Sequence, residues 1–166
     1  MRRHVRTAFA ALSLALMMLM GALSPAAADS RAMRLPVQMV KLVAQTAAGD
    51  KFFSIEVADE PSEQERGLMF RDDMPDDRGM LFDLGTTRHA SFWMENTPMP
   101  LDLLFIGEDG RVRAILPGRP FSRAAISPGV PVRFVLELKQ GTAQMNGIAP
   151  GDRLRHPVID AVAGSN

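Results

Sequence analysis

Cysteine is absent from all 166 residues. Disulfides, thiolate metal sites, cysteine nucleophiles and thiol redox pairs are therefore excluded. Histidine is nearly as scarce: His4, His89 and His156 stand apart in the chain, with no pair at the spacing of a zinc site. There is no Gly-x-Ser-x-Gly elbow and no glycine-rich phosphate loop, so neither nucleophilic acyl transfer nor nucleotide binding is signalled. Ser91 lies two residues from His89, but closeness in sequence does not make a triad. No internal repeat or low-complexity tract is present. An excess of positive charge is lacking too, with 19 basic residues against 19 acidic ones.

What is present begins with an export pattern. Arg2, Arg3 and Arg6 precede an apolar stretch, Ala8–Leu23, which runs into the small residues Ala26, Ala27 and Ala28. That order predicts a signal peptide over 1–28 and a periplasmic product, the alternative being an uncleaved N-terminal anchor. Cleavage removes three basic residues and no acidic one, leaving a net charge of −3. Nucleic acid and anionic membrane surfaces need a basic face, so neither is an expected partner. The remaining chain, about 138 residues, is long enough to bury one core without disulfides.

Residues 29–50 read as a leader, with a possible edge strand at 35–43 and a loop at 44–50. A single β-rich domain follows over 51–160. Lys51–Ala58 alternates as a strand, with Phe53, Ile55 and Val57 on one face. Residues 59–67 carry helix punctuation: Asp59, then Pro61, early acids and a closing Gly67. An acidic loop, Asp72–Arg78, leads to a short strand over 79–82. Leu101–Ile106 and Arg111–Leu116 form a hairpin around Glu108-Asp109-Gly110. Pro117–Pro131 is a loop. In Val132–Lys139, Val132, Phe134, Leu136 and Leu138 face inward, with Arg133, Glu137 and Lys139 outward. A helical turn at 141–147 and a last strand at 152–158 complete the pattern. The expected fold is mainly β, a compact antiparallel sandwich or barrel with one or two short helices.

The motifs GLMFR (67–71), GMLF (79–82), FWMENT (92–97), PLDLLFIGEDGRV (100–112) and VLEL (135–138) stand in order. Together they resemble the family called domain of unknown function 192, small and often exported prokaryotic proteins. The resemblance implies a compact β-rich sandwich of jelly-roll type. It implies no activity, substrate, cofactor or catalytic residue, so candidate roles rest on this sequence.

Asp102 is the anomaly, a carboxylate between apolar neighbours on both faces. Buried there, it must be paired, neutralised or open to a cavity. It either lines a pocket with Asn96, Thr97 and Trp93, or accepts hydrogen bonds from Asn96, Thr97 or Arg71 as scaffolding. The ligand-site candidates are therefore Arg71, Trp93, Asn96, Thr97 and Asp102. Asp72, Asp73, Asp76 and Asp77 lack the glycine and bidentate glutamate of a calcium loop and read as a solvated segment. Met94, Met99 and His89 are soft ligands that could hold Cu(I) in a cysteine-free exported protein, although methionine commonly fills core gaps. The leading expectation is a non-catalytic binding or accessory module of the cell envelope, its partner a small ligand or an envelope component. The alternatives are a periplasmic Cu(I)-binding protein and a hydrolase or lyase using Asp102 with Arg71.

Overall fold

A parallel strand pair needs a crossover long enough to carry the chain back, commonly through a helix. This chain contains one. In the computed structural model, which describes residues 32–164, β2 (Gly49–Ala58) and β3 (Arg78–Arg88) run parallel and are joined through α1 (Pro61–Arg66). The other strands, β1 (Leu42–Thr46), β4 (Leu101–Ile106), β5 (Val112–Gly118), β6 (Val132–Lys139) and β7 (Arg153–Arg155), make only antiparallel pairings. The sheet order is β5-β4-β6-β3-β2-β1-β7. Two further short helices, α2 (Thr142–Met145) and α3 (Pro157–Ala163), complete the described chain. The fold is mainly β, a curled mixed sheet. The predicted signal peptide lies outside the described residues. Among those residues, no helix is long and apolar enough to cross a membrane.

The curl brings the sheet's two edges together at one end. Arg111 bridges Arg153, Gly151 N–H donates to Val112 O (2.8 Å), and Leu154 N–H donates to Gly110 O (2.8 Å). Pairing the edges removes the open donors and acceptors that invite aggregation. All seven strands send side chains into the core inside the curl, among them Leu42, Phe53, Leu81, Leu104, Val112, Leu136 and Leu154. A second core covers the outer face of the sheet, where Met80, Phe82, Leu103, Phe105 and Val135 meet Leu68, Met74, Met94 and Met99 from loops.

Covering both faces makes the central strands apolar throughout. Every residue of β4 is buried, and so are seven of the eight in β6. Glu137 is thereby corrected: expected outward, it is 4% exposed and lies on the second-core face beside Val135. Arg133 is also buried, and it is ion-paired with Asp83.

Other expectations shift at the edges. The expected loop at 44–50 is instead a tight β1–β2 hairpin, closed by the Thr46 hydroxyl donating to Gly49 O (2.7 Å). The domain therefore starts inside the presumed leader. Strand β3 runs six residues past Phe82. The last expected strand ends at Arg155, where His156 caps α3 by accepting from Val158 N–H.

Gly79 on β3 packs tightly against Leu138 and the Glu137 backbone of β6. A Cβ there would lie 2.8 Å from the Glu137 carbonyl oxygen and 2.7 Å from Leu138 Cδ2. Gly79→Ala should cost about 1–3 kcal/mol by overpacking, read as a lowered midpoint in urea with an unchanged slope.

Candidate functional site

One row of side chains on the second-core face runs Glu56, Met80, Glu137, Leu103, set by the registers of β2, β3, β6 and β4. Two carboxyls thus lie two strands apart, about 10 Å between backbones. The chain treats them differently.

Glu56 is 3% exposed and receives Arg71 head-on. Arg71 Nη1 donates to Oε1 at 2.7 Å and Nη2 to Oε2 at 2.6 Å. The same guanidinium donates from Nε to the Met33 carbonyl (2.8 Å), and Leu35 N–H donates to Glu56 Oε2 (2.7 Å). The pair thereby pins residues 33–37 across the sheet, continued by the Val37–Glu56 bridge. Burial alone would raise the Glu56 pKa. The Arg71 and Leu35 hydrogen bonds, with the charges of Arg71 and Arg78, outweigh burial and hold it below the ordinary value.

Glu137 has no such partner. Among the described residues none makes a hydrogen bond to its carboxyl, and only the charge of Arg71 acts on it. Burial raises its pKa to about 8, against the opposing pull of Arg71. At neutral pH the group is a neutral acid, a hydrogen-bond donor without an acceptor.

That acid lines a cleft of about 40 Å³, shared with Gly67, Leu68, Met69, Phe82, Trp93 and Thr97. Phe92, also in the wall, is held edge-on between Phe82 (centroids 5.2 Å apart) and Phe105 (6.1 Å). Trp93 is 49% exposed rather than a core residue. It borders a second, larger cleft, of about 200 Å³, with Ser91, Phe92, Arg123 and Ala125.

The backbone around the cleft is strained. Three non-glycine residues among those described have positive φ: Phe70 (64°), Asn96 (55°) and Phe121 (59°). All three meet at the 96–97 turn, where Phe70 N–H donates to Asn96 O (2.7 Å) and Phe121 N–H to Thr97 O (3.1 Å). Such outliers persist only where the surroundings over-determine them, and they concentrate at functional sites.

The sequence-derived candidates separate accordingly. Trp93 and Thr97 line the cleft; Arg71 does not, and from its pair with Glu56 it acts on Glu137 only through its charge. Asn96 shapes the turn; its amide is exposed and reaches Met69 Sδ at 4.0 Å. Asp102 lies on the other face of β4, with Leu104 and Ile106, and its Oδ2 accepts from Ala143 N–H at the start of α2 (3.0 Å). Its role there is scaffolding, with Ala143 in place of the expected partners. Because Arg71 and Asp102 occupy opposite faces of the sheet, a catalytic pair of the two does not form. Asp73 and Asp76 both bridge Lys139, at 3.1 and 2.8 Å. His89 is exposed, whereas Met94 and Met99 are buried in the second core. Among the described residues, no group of three or more His, Cys, Asp or Glu could hold a metal.

Sequence reasoning missed Glu56 and Glu137. Strict alternation puts Glu137 outward and Glu56 on the face of β2 away from Phe53, Ile55 and Val57. The available signal was Val135, an apolar residue on Glu137's own face.

The profile of the domain of unknown function 192, described as an uncharacterized ACR, matches residues 43–156. The chain belongs to this family. Two solved structures are similar to it. One is a putative transcription regulator from Sinorhizobium meliloti, 43% identical, with a TM-score of 0.70 over 74% of this chain and 97% of that one. The other is a protein of unknown function from Novosphingobium aromaticivorans, 36% identical, with a TM-score of 0.70 over 74% and 86%. No curated protein matches the chain.

A raised acid pKa makes stability depend on pH. Between the ordinary value of 4.5 and about 8, the folded chain holds a proton that the unfolded chain releases. The stability contributed by neutral Glu137 is full below that window and is lost as pH rises through it, about 3–5 kcal/mol in all. Glu137→Gln should remove this slope and leave the variant more stable than the parent above about pH 8. Thermal or urea unfolding across pH checks it, and identical slopes for both proteins would contradict it.

Proposed function

We propose that this protein is a non-catalytic, small-ligand-binding module of the bacterial cell envelope, with its site in the cleft beneath Trp93. One observation carries the reading: a buried carboxyl without a hydrogen-bond partner, 4% exposed, forms part of an aromatic-walled cleft. Small-ligand sites combine apolar walls with a few placed polar groups, and this cleft holds both. The strained turn at Asn96 supports the same location. Export is supported by the basic, apolar and small-residue order of residues 1–28.

The Sinorhizobium protein's description as a putative transcription regulator suggests nucleic acid as another partner. The reading leaves it out for physical reasons. The described helices have six, four and seven residues, and the exported chain is acidic.

Screening isotopically labelled protein against neutral, anionic and cationic fragments tests the site. The expected result is shifts concentrated at the Trp93 indole N–H and the amides of Gly67, Leu68, Met69 and Thr97. Hits confined to the closed edge around Gly110 and Leu154, or to no common surface, would contradict it.

A further inference from the structure

Reading the cleft as a ligand site leaves open what kind of ligand it takes, and Glu137 narrows that. The carboxyl sits on the middle of β6, with Met80 opposite it on β3 and Leu103 on β4. Charged groups reach its surroundings from several elements. Arg71 comes from the loop after α1, Glu56 from β2, and Glu65 and Arg66 from α1 at the cleft mouth. Arg78 shares the face of β3 that holds Met80. The segment 92–97 adds only Phe92, Trp93 and the Thr97 hydroxyl, which already donates to Glu95 O (3.2 Å).

Two ligand classes suit a buried carboxyl under an aromatic wall. A cation would ionise the acid and lie against the ring faces. A neutral molecule with an acceptor oxygen would take the acid's proton as a hydrogen bond. The walls decide between them. A cation would have to shed its hydration among Phe82, Phe92 and Leu68 and also ionise an acid that burial keeps protonated, whereas a neutral acceptor takes the proton in a hydrogen bond without creating any buried charge. A fully charged anion fares no better, because it would have to shed its hydration among Phe82, Phe92 and Leu68. A cleft of about 40 Å³ has room for roughly three water-sized groups, the size of an amide or acetyl end of a larger molecule.

We infer that Glu137, as an unpaired carboxylic acid, donates a hydrogen bond to the carbonyl oxygen of an uncharged, amide-bearing ligand whose apolar end rests on Phe82, Phe92 and Trp93. No covalent bond to the ligand is made or broken. The acid satisfies its one donor, and the remainder of the ligand extends past Trp93 into solvent.

The inference rests on the cleft reading, and the test separates the two. The full chain is titrated with N-methylacetamide and, separately, with methylammonium, following the Trp93 indole N–H by NMR. The amide should bind the parent at about pH 6.5 and weaken roughly tenfold by about pH 9, as the competent protonated fraction falls to about a tenth. Glu137→Gln, which keeps a donor at every pH, should bind the amide without that loss. Glu137→Leu should abolish the Trp93 shift. Methylammonium preferred over the amide, or amide binding that strengthens with pH, would overturn the inference while leaving a ligand site in place. Equal amide binding by parent, Gln and Leu proteins would show that Glu137 does not contact the ligand, and would overturn it as well. No shift at Trp93 with either compound would overturn both the inference and the cleft reading.

Discussion

The bidentate pair between Arg71 and Glu56 is the constraint on which the rest of this molecule depends. Two carboxyls are buried on one face of the sheet, and a single guanidinium stands near both. Arg71 gives its hydrogen bonds to Glu56 and to the Met33 carbonyl. One carboxyl is thereby ionised and satisfied, while the other keeps its proton. A buried pair of this kind is weak evidence for net stability, because desolvation offsets most of the attraction. Its consequence here is positional. It fixes the N-terminal segment over the sheet and holds the loop after α1 at the edge of the cleft.

Strain is concentrated at the same place. Phe70 immediately precedes Arg71 and has left-handed backbone, and its N–H is taken by Asn96, which is left-handed as well. The turn that presents Trp93 and Thr97 and the loop that presents Arg71 are thus locked to each other. Neither can relax without breaking a hydrogen bond of the other. A rigid aromatic wall over a neutral acid is the result, and pre-organisation of this kind lowers the entropic cost of binding.

Much of this was legible in the sequence, and the failures share one cause. The hairpin around Asp109-Gly110, the helix before Gly67 and the strand at 132–139 follow from turn residues and alternation. Of the candidate residues, Trp93 and Thr97 line the cleft, while Arg71 is outside its lining and acts on Glu137 only through its charge. Asp102 is anomalous as a carboxylate in an apolar run, and accepting from the Ala143 N–H at the start of α2, on the opposite face, explains it. Glu137 carries the same anomaly and passed unnoticed, because Arg133 and Lys139 beside it in the pattern made a wet face look complete. Alternation tells which residues share a face, not whether that face meets water. That depends on loops arriving from Leu68, Met74 and Met94, distant in sequence. The parallel β2–β3 pair was hidden similarly, since direction is set by the crossover through α1 and not by either strand.

The protonation state of Glu137 is the claim on which the cleft's chemistry turns. Its carboxyl carbon can be followed directly by NMR in protein labelled at glutamate, with the Glu137→Gln protein giving the assignment. The account predicts a midpoint near 8 for this one resonance. A midpoint near the ordinary value of 4.5 would contradict it, since the cleft floor would then be a carboxylate at neutral pH and not a hydrogen-bond donor.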